Sequence, residues 1–200
     1  MQRLAAPILP TEPRIEVLSG CMFSGKTEEL CRRLRRAYYA RQGVIAIRPG
    51  IDNRLERTIE DDQFYQTLKV PSSTAEELLL IVKRLMDEQR IQVVGIDEAQ
   101  FFDLKKPMEL PKVCIEMVHM GLVVIAAGLN LDYEENDFGP IPNLMARASR
   151  PEMLTAICTR CGSELAVRSQ RIIELDSQVV IGGQKEYEAR CIPCFERPKK

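Results

Sequence analysis

The stretch SGCMFSGKTEEL, residues 19–30, decides the fold class of this chain. It contains the pattern G-x-x-x-x-G-K-S/T without a mismatch, after an apolar run (14–20) and before leucines at helical spacing. In such a strand–loop–helix setting, backbone N–H groups and the helix N-terminus attract phosphate oxygens. The predicted phosphate loop consists of Gly20, Cys21, Met22, Phe23, Ser24, Gly25, Lys26 and Thr27.

Four side chains have predicted roles around a bound nucleoside triphosphate. Lys26 is expected to reach the β- and γ-phosphates, and the Thr27 hydroxyl is expected to ligate Mg²⁺. Asp97 ends the apolar run IQVVGID (91–97) and is expected to be the second carboxylate on the magnesium side. Glu98 follows it and faces the other way on an extended backbone. These residues alone leave open whether Glu98 orients water, as in an ATPase, or accepts a proton from a substrate hydroxyl.

Apolar runs alternate with amphipathic segments as far as residue 150. Strands are predicted at 14–20, 44–49, 91–100 and 122–130, and helices at 26–43, 73–90 and 105–120. Near-continuous apolar strands that alternate with helices indicate a parallel sheet covered on both faces. We therefore expect a doubly wound α/β domain with a RecA-like phosphate-loop core over residues 14–150, after a flexible leader at 1–13.

The composition is that of a soluble globular protein. Of the 200 residues, 45% are hydrophobic and 28% charged, with a formal net charge of -1, which argues against a broadly basic nucleic-acid-binding surface. No apolar run approaches the ~18 residues of a membrane-spanning helix, and the N-terminal segment lacks the apolar core of a secretory signal. The predicted protein is cytoplasmic, with neither a membrane nor a nucleic acid as partner.

Four of the seven cysteines form two C-x-x-C pairs, Cys158/Cys161 and Cys191/Cys194. In a reducing cytosol such pairs favour metal ligation over disulfides, and four thiolates suit a closed, structural Zn²⁺ site. The spacer between the pairs exceeds the about 15–20 residues of the common zinc pattern, which implies an inserted loop. A redox pair and an iron–sulfur cluster are the alternatives, and the neighbouring sequence supports neither.

The fifty residues after 150 are too few to bury a sufficient core by themselves. They contain both cysteine pairs and short β-like runs such as RIIEL (171–175) and VVIGG (179–183). We expect a small zinc-binding lobe at 151–195, followed by a frayed tail at 196–200.

The order of these motifs resembles that of the type II thymidine kinases, and the resemblance covers nearly the whole chain. The matching segments are GCMFSGKTEEL (20–30), RPGIDNR (48–54), DEAQFF (97–102), GL…D…FGP (128–140), LTAICTRCG (154–162), SQR (169–171) and IGGQKEYEARCIPC (181–194). The resemblance implies transfer of the ATP γ-phosphate to the 5′-hydroxyl of thymidine, giving dTMP and ADP for DNA-precursor salvage. It also implies a homotetramer that the end product, thymidine triphosphate, inhibits.

The resemblance assigns roles to further residues. Glu98 becomes the implied proton acceptor and Asp97 the magnesium-side acid, with Ala99 and Gln100 also at the nucleotide. In this family a lasso loop in the zinc lobe holds the base mainly by main-chain hydrogen bonds, and zinc fixes that loop from a distance. The implied nucleoside pocket consists of Asp52, Arg54, Phe101, Tyr133, Phe138, Ile181, Gly182, Gly183 and Tyr187.

Two segments depart from the family pattern. Where many members read GLDxDFRGxPFGP, this chain reads GLNLDYEENDFGP (128–140). Asn130 replaces an Asp, Tyr133 a Phe and Glu134 an Arg. The tyrosine adds a hydroxyl that needs a partner if buried, and the glutamate reverses a charge near the nucleoside. The stretch TIEDDQFYQT (58–67) replaces a Ser-His pair and a glycine. These departures bear on efficiency, nucleoside preference and feedback by thymidine triphosphate.

Two other classes of function compete with a nucleoside kinase. A nucleic-acid-dependent ATPase is suggested by DEAQ, which resembles a helicase box, and by the basic cluster RRLRR (32–36). That cluster lies in a predicted helix, where a solvated face is the commoner explanation, and the sequence shows no second motor domain. A zinc-stabilised nucleotide-binding regulator is disfavoured by the complete set Lys26, Thr27, Asp97 and Glu98.

Overall fold

The computed structural model describes residues 12–51, 63–173, 183 and 185–197. The strands are β1 (Arg14–Gly20), β2 (Val44–Pro49), β3 (Gln66–Val70), β4 (Val93–Ile96), β5 (Val123–Gly128), β6 (Arg150–Leu154), β7 (Arg168–Arg171) and β8 (Tyr187–Arg190). The helices are α1 (Lys26–Tyr39), α2 (Ala75–Glu88), α3 (Glu109–His119) and α4 (Ile141–Met145), with 3₁₀ turns at Ala99–Phe101 and Ile192–Cys194.

Strands β1 to β6 form one sheet in the order β3-β2-β4-β5-β1-β6. All of its neighbouring pairs are parallel. The carboxyl ends of parallel strands meet at one edge, so the ends of β1, β4 and β5 lie side by side there. The α/β class predicted from the alternating apolar runs is confirmed.

Side chains of β1 alternate between the two covered faces of the sheet. Ile15 and Val17 belong to the larger core cluster, which contains residues of α2, α3 and α4. Leu18 packs on the opposite face with Leu30 and Leu34 of α1. Because these side chains are nearly all excluded from water, burial on both faces fixes β1, and with it the start of the phosphate loop.

An ion-pair cluster lies between α1 and β1. The Arg33 guanidinium donates to Glu16 Oε2 at 2.6 Å and to Glu29 Oε1 at 2.8 Å, and it also bonds to Glu152. Arg32 donates to Glu29 as well, at 2.5 Å. Two arginines of the predicted basic cluster are therefore neutralised by carboxylates, which weakens the nucleic-acid interpretation of that cluster.

Helix α1 ends at Tyr39, earlier than the predicted end at residue 43. The reason is a left-handed Arg41, with φ of 63°. Its N–H donates to Tyr38 O at 2.8 Å, and the Gln42 N–H donates to Ala37 O at 3.1 Å. This pair of bonds is the Schellman termination, in which glycine is usual, so the arginine gives no sequence signal for it.

Strand β3 has no counterpart among the predicted elements. It is the edge strand beyond β2, and only Val70 of its five residues is buried. An edge strand with so little burial lacks the apolar pattern by which a strand is recognised. Helix α2, by contrast, begins as predicted after a capping residue, because the Thr74 hydroxyl accepts the Glu77 N–H at 3.3 Å.

The C-terminal lobe follows β6 and is built on a second, two-stranded sheet. Strands β7 and β8 pair antiparallel, and an isolated bridge joins Ala156 to Ala166. The predicted domain boundary at 150/151 falls inside β6, which pairs with β1, so the main sheet extends to Leu154. The predicted β-like run 171–175 is described as far as residue 173, and within that part only Arg171 lies in a strand. Most of the run at 179–183 is outside the described residues.

Candidate active site

The predicted phosphate loop joins β1 to α1, as the sequence pattern requires. Gly20 has a φ of 153°, and a Cβ there would lie 2.4 Å from Leu154 O. Gly25 is left-handed and stands immediately before the first residue of α1. Both positions need glycine, the first for a close backbone approach and the second for its dihedral angles. The loop therefore ends with the N-terminus of α1, where anions are attracted.

The lysine and threonine of the loop already have partners in the protein. Lys26 Nζ donates to Cys21 O at 2.6 Å. Thr27 Oγ1 lies 3.1 and 3.2 Å from the two carboxylate oxygens of Asp97, at the end of β4. Asp97 is itself buried. A hydroxyl and a carboxylate at this distance are the hard oxygen ligands that Mg²⁺ takes, so this pair fits the predicted metal.

Glu98 turns the chain away from β4. It is left-handed, with φ of 49° and ψ of 39°, and precedes the 3₁₀ turn Ala99–Phe101. Strand β4 therefore stops at Ile96, short of the predicted end at residue 100. The Asp97 carboxylate accepts the Thr27 hydroxyl, whereas Glu98 Oε2 accepts a hydrogen bond from the Gln100 side-chain amide at 2.5 Å. The two neighbouring carboxylates thus serve different surroundings.

Gln100 connects Glu98 to the end of β5. Its side chain is completely buried, and its Oε1 accepts the Leu129 N–H at 3.1 Å. Gly139 packs against the same residue, since a Cβ on Gly139 would lie 2.1 Å from Gln100 O. Ala99 is buried in the core cluster. Sequence reasoning grouped Ala99 and Gln100 with the nucleotide. It missed the contact from the Gln100 amide to Glu98, because the other end of that amide is held by Leu129, which follows β5.

The aromatic residues proposed for the nucleoside pocket lie in two groups. The Phe101 and Phe138 rings are 5.6 Å apart and nearly perpendicular, at 87°. Tyr133 lies under the Arg171 guanidinium at 3.5 Å from its ring centroid, and Arg171 Nη2 donates to Tyr187 Oη at 3.3 Å. The structure thus joins Tyr133 and Tyr187 through one arginine that sequence reasoning did not select, although it ends the motif SQR.

Other predicted pocket residues lie near Tyr187 or outside the described part of the chain. The Gly183 N–H donates to Glu186 Oε2 at 2.7 Å, and Gly183 O accepts the Tyr187 N–H at 3.0 Å. Asp52, Arg54, Ile181 and Gly182 are outside the described residues.

The four cysteines of the two C-x-x-C pairs converge. The sulfur atoms of Cys158, Cys161, Cys191 and Cys194 all lie within 4.8 Å of one another. Zinc–thiolate bonds of ~2.3 Å in a tetrahedron place sulfur atoms ~3.8 Å apart, and Cys161 Sγ is 3.6 Å from Cys191 Sγ. A backbone hydrogen bond from Cys191, with others from Cys161 and Arg160, lowers the pKa of Cys158 to about 6. Geometry and donor type fit zinc.

The lobe touches the phosphate loop directly. The Cys21 thiol donates to Ala166 O at 3.2 Å, and burial raises its pKa. The Met22 N–H donates to the Ser169 hydroxyl at 3.0 Å. Sequence reasoning assigned no role to Ser169, because a contact across so many residues leaves no local signal. The phosphate loop is therefore held by β7 as well as by β1 and α1.

Comparison with known proteins identifies the family. The thymidine kinase family model matches residues 13–195. The chain belongs to the thymidine kinase family. It is 42% identical over 187 residues to the thymidine kinase of Bacteroides thetaiotaomicron, covering 93% of this chain and 88% of that protein. It is 43% identical over 186 residues to the thymidine kinase of Rhodothermus sp., covering 92% and 82% of the two chains.

Relative to the thymidine kinase pattern, the departures at Tyr133 and Glu134 form one local contact. The Tyr133 hydroxyl donates to Glu134 Oε1 at 3.0 Å, so the added hydroxyl has the added carboxylate as its partner. The carboxylate at residue 134 is thus hydrogen-bonded by its neighbour in the chain. In the parts of the chain that the structure describes, no helix combines the length and the apolar character needed to cross a membrane.

Proposed function

We propose that this protein is an ATP-dependent thymidine kinase, which transfers the γ-phosphate of ATP to the 5′-hydroxyl of thymidine and releases dTMP and ADP. The observation that carries the proposal is the juxtaposition of the Thr27–Asp97 contact with Glu98 at one sheet edge. A donor site and a candidate base stand on adjacent residues of one strand end. Membership of the thymidine kinase family supports thymidine as the acceptor.

The donor half consists of the phosphate loop and Asp97. On ATP binding, Lys26 Nζ leaves the carbonyl of Cys21 for the β- and γ-phosphate oxygens. Thr27 and Asp97 are positioned to hold Mg²⁺, which when bound neutralises charge on those phosphates. The loop N–H groups and the N-terminus of α1 bind the remaining phosphate oxygens.

The acceptor half centres on Glu98. Its carboxylate takes the proton of the 5′-hydroxyl as that oxygen bonds to the γ-phosphorus, and the bond from phosphorus to the bridging oxygen of ADP breaks. The Gln100 amide orients the carboxylate through its 2.5 Å hydrogen bond. The proton on Glu98 returns to solvent after dTMP leaves.

The thymine base is proposed to lie among the aromatic residues near this edge. Phe101 and Phe138 supply a right-angled aromatic corner. Tyr133, Gly183 and Tyr187 approach from the acceptor side and from the lobe. Asp52, Arg54, Ile181 and Gly182, which lie outside the described residues, complete the proposed pocket.

Structural zinc, a homotetramer and a cytoplasmic location complete the proposal. The four thiols bind zinc with no position left for substrate, so the metal shapes the lobe and takes no part in the chemistry. Among the described strands, β6 pairs with β1 alone, and such a strand edge is a common site of association between subunits. Neither a nucleic acid nor a membrane is proposed as partner.

The deciding experiment incubates the protein with Mg·ATP and a panel of nucleosides and follows nucleoside monophosphate formation. We expect thymidine to be the preferred acceptor. Glu98→Gln is expected to lower kcat by roughly 10²–10⁴-fold with ATP affinity retained, because the amide no longer accepts the proton.

The matched control is Glu88→Gln, an exposed residue at the end of α2, which should leave kcat unchanged. ATP hydrolysis that is independent of thymidine and stimulated by single-stranded DNA would overturn the kinase proposal. Full turnover in Glu98→Gln would remove Glu98 as the base.

A further inference from the structure

The segment 129–140 between β5 and α4, here named the acceptor loop, carries Tyr133 and Phe138 of the proposed nucleoside pocket. We infer that Glu135 is a positioning residue that ties this loop to the C-terminal lobe and so sets thymidine affinity. The contacts of Glu135 with the lobe are observed in the structure, whereas their effect on thymidine affinity rests on the proposed kinase function.

The backbone at Glu135 is in a conformation that suits glycine. Its φ is 68°, and its N–H donates to Asp132 O at 3.2 Å. The Asp132 carboxylate accepts the N–H groups of Glu134 and Asn136 at 2.8 and 2.9 Å, which closes the turn around this residue. The family pattern given above has glycine at this position. A side chain here strains the backbone, so its retention calls for a compensating contact.

The compensating contact is a two-sided ion pair. Glu135 Oε1 accepts Arg168 Nε at 2.7 Å, and Oε2 accepts Arg197 Nε at 2.5 Å. The Glu135 and Arg168 side chains are only 16% and 20% exposed, whereas Arg197 is 79% exposed. Hydrogen bonds from Arg168 and then Arg197 lower the pKa of Glu135, so the carboxylate stays ionised at neutral pH. The Arg168 bond is therefore the stronger half of the tie.

Strand β7, which carries Arg168, connects this ion pair to the rest of the proposed site. Arg168 begins β7, and the next residue, Ser169, accepts the N–H of Met22 in the phosphate loop. Arg171, at the end of β7, covers the Tyr133 ring at 3.5 Å. The acceptor loop is thus attached to β7 at two points, by Glu135 and by Tyr133. When the Glu135 contact is lost, the contact of Arg171 with the Tyr133 ring still attaches the acceptor loop to β7.

The test measures steady-state kinetics and thymidine affinity by calorimetry for Glu135→Gln, Arg197→Gln and the double variant. For Glu135→Gln we expect the KM and Kd for thymidine to rise about 3- to 10-fold, the range of a partly exposed charge-assisted bond. kcat and the KM for ATP should change less than about twofold, since no group at the phosphates is altered. Adding Arg197→Gln to Glu135→Gln should have no further effect, because its partner is already gone.

A second variant separates positioning from general stability. Glu135→Gly removes the same ion pairs as Glu135→Gln but relieves the left-handed strain, so its Tm should exceed that of Glu135→Gln, yet its thymidine KM should rise as much. The matched control is Glu196→Gln, next to Arg197 in the chain. It loses an exposed ion pair with Arg160 and should leave both KM values unchanged. Unchanged thymidine KM and Kd in both Glu135 variants would overturn the inference.

The two levels of the proposal fail separately. A wild-type protein that phosphorylates no thymidine overturns the proposed function. The tie itself is then judged by the Tm values of Glu135→Gln, Arg168→Gln and their double variant. A double variant no less stable than the single ones supports the tie, and additive losses overturn it.

Discussion

Buried strands hold the proposed phosphate side of the site, whereas side-chain contacts with a small cysteine lobe hold the proposed acceptor side. Val17 and Leu18, which lead into the phosphate loop, are completely excluded from solvent. The core of the lobe consists of small residues, namely Ala156, Cys158, Ala166, Ala189 and Cys191, and Cys21 of the phosphate loop packs against them. Alanine and cysteine side chains bury little apolar area, so we expect the lobe to depend on the proposed zinc and on ion pairs, whereas the sheet depends on its apolar core.

The difference teaches that one active site can combine two sources of order. The positions of the proposed donor residues are fixed by strands that pack on both faces. The positions of the proposed acceptor residues are fixed by the cysteine cluster, β7 and the acceptor loop. Perturbations of the lobe should therefore separate acceptor binding from the fold of the main domain, and perturbations of the sheet should not.

The largest expected effect comes from breaking the lobe at its proposed zinc site. Cys191→Ser should abolish zinc binding and lower thymidine phosphorylation by at least about 100-fold, because metal binding supplies folding free energy to such a small unit. The far-UV circular dichroism of the main domain should be largely kept, whereas ATP binding should weaken in part, because the lobe supplies the partners of Met22 and Cys21 in the phosphate loop. Elemental analysis of the wild type should find one zinc per chain.

Cys31→Ser on α1 is the matched control for this metal test, since it removes a thiol that lies outside the cysteine cluster. It should retain zinc. Iron in the active protein, or full thymidine phosphorylation by zinc-free Cys191→Ser, would contradict the structural-zinc proposal.

An intermediate effect is expected where the two halves meet, at Gly139. Its φ is 54°, and an added Cβ would lie 2.1 Å from Gln100 O. Gly139→Ala should displace Gln100 and with it Glu98, lowering kcat by roughly tenfold and the free energy of unfolding by about 1–3 kcal/mol. Steady-state kinetics and denaturant unfolding measure the two losses.

Gly121→Ala serves as the control for Gly139→Ala, because Gly121 has a φ of 91° but nothing within 4 Å of an added Cβ. It should destabilise the protein by about 1 kcal/mol with kcat unchanged. An equal kcat loss in both variants would show that the contact with Gln100 is irrelevant to turnover.

The smallest expected effect is electrostatic and lies on the sheet side. Hydrogen bonds from Arg32, together with those from Arg33, lower the pKa of Glu29 from 4.5 to about 2. A depressed carboxyl pKa stabilises the fold above pH 4.5, and this contribution disappears as the pH falls from 4.5 towards 2. Arg32 is 54% exposed, so solvent screening limits the gain to about 1 kcal/mol or less.

Urea unfolding of the wild type and Glu29→Gln at pH 7 and at pH 2.5 measures this contribution. The variant should be less stable at pH 7 and should approach the wild type at pH 2.5. A stability difference that is the same at both pH values would exclude Glu29 ionisation as its cause.

The same contrast separates what the sequence predicts from what it does not. The phosphate loop, β1, β2 and the Thr27–Asp97 pairing follow from local patterns, namely an apolar period, a glycine turn and a carboxylate at a strand end. The cysteine cluster follows from spacing. The contacts from Gln100 to Leu129, from Ser169 to Met22 and from Glu135 to Arg168 join segments that are distant in the chain. Such contacts depend on how the elements pack, which no short pattern encodes.

The hydrogen bond from Met22 to Ser169 limits the transfer of this phosphate loop to other proteins. A strand, loop and helix of this kind resembles a unit that could be moved into another parallel sheet. Here the Met22 N–H and the Cys21 thiol find their partners in the lobe, beyond the last strand of the sheet. Transplanted with only its own strand and helix, the loop would lose both partners. Recombination that exchanges nucleotide-binding domains between proteins would therefore have to carry the lobe along with the loop.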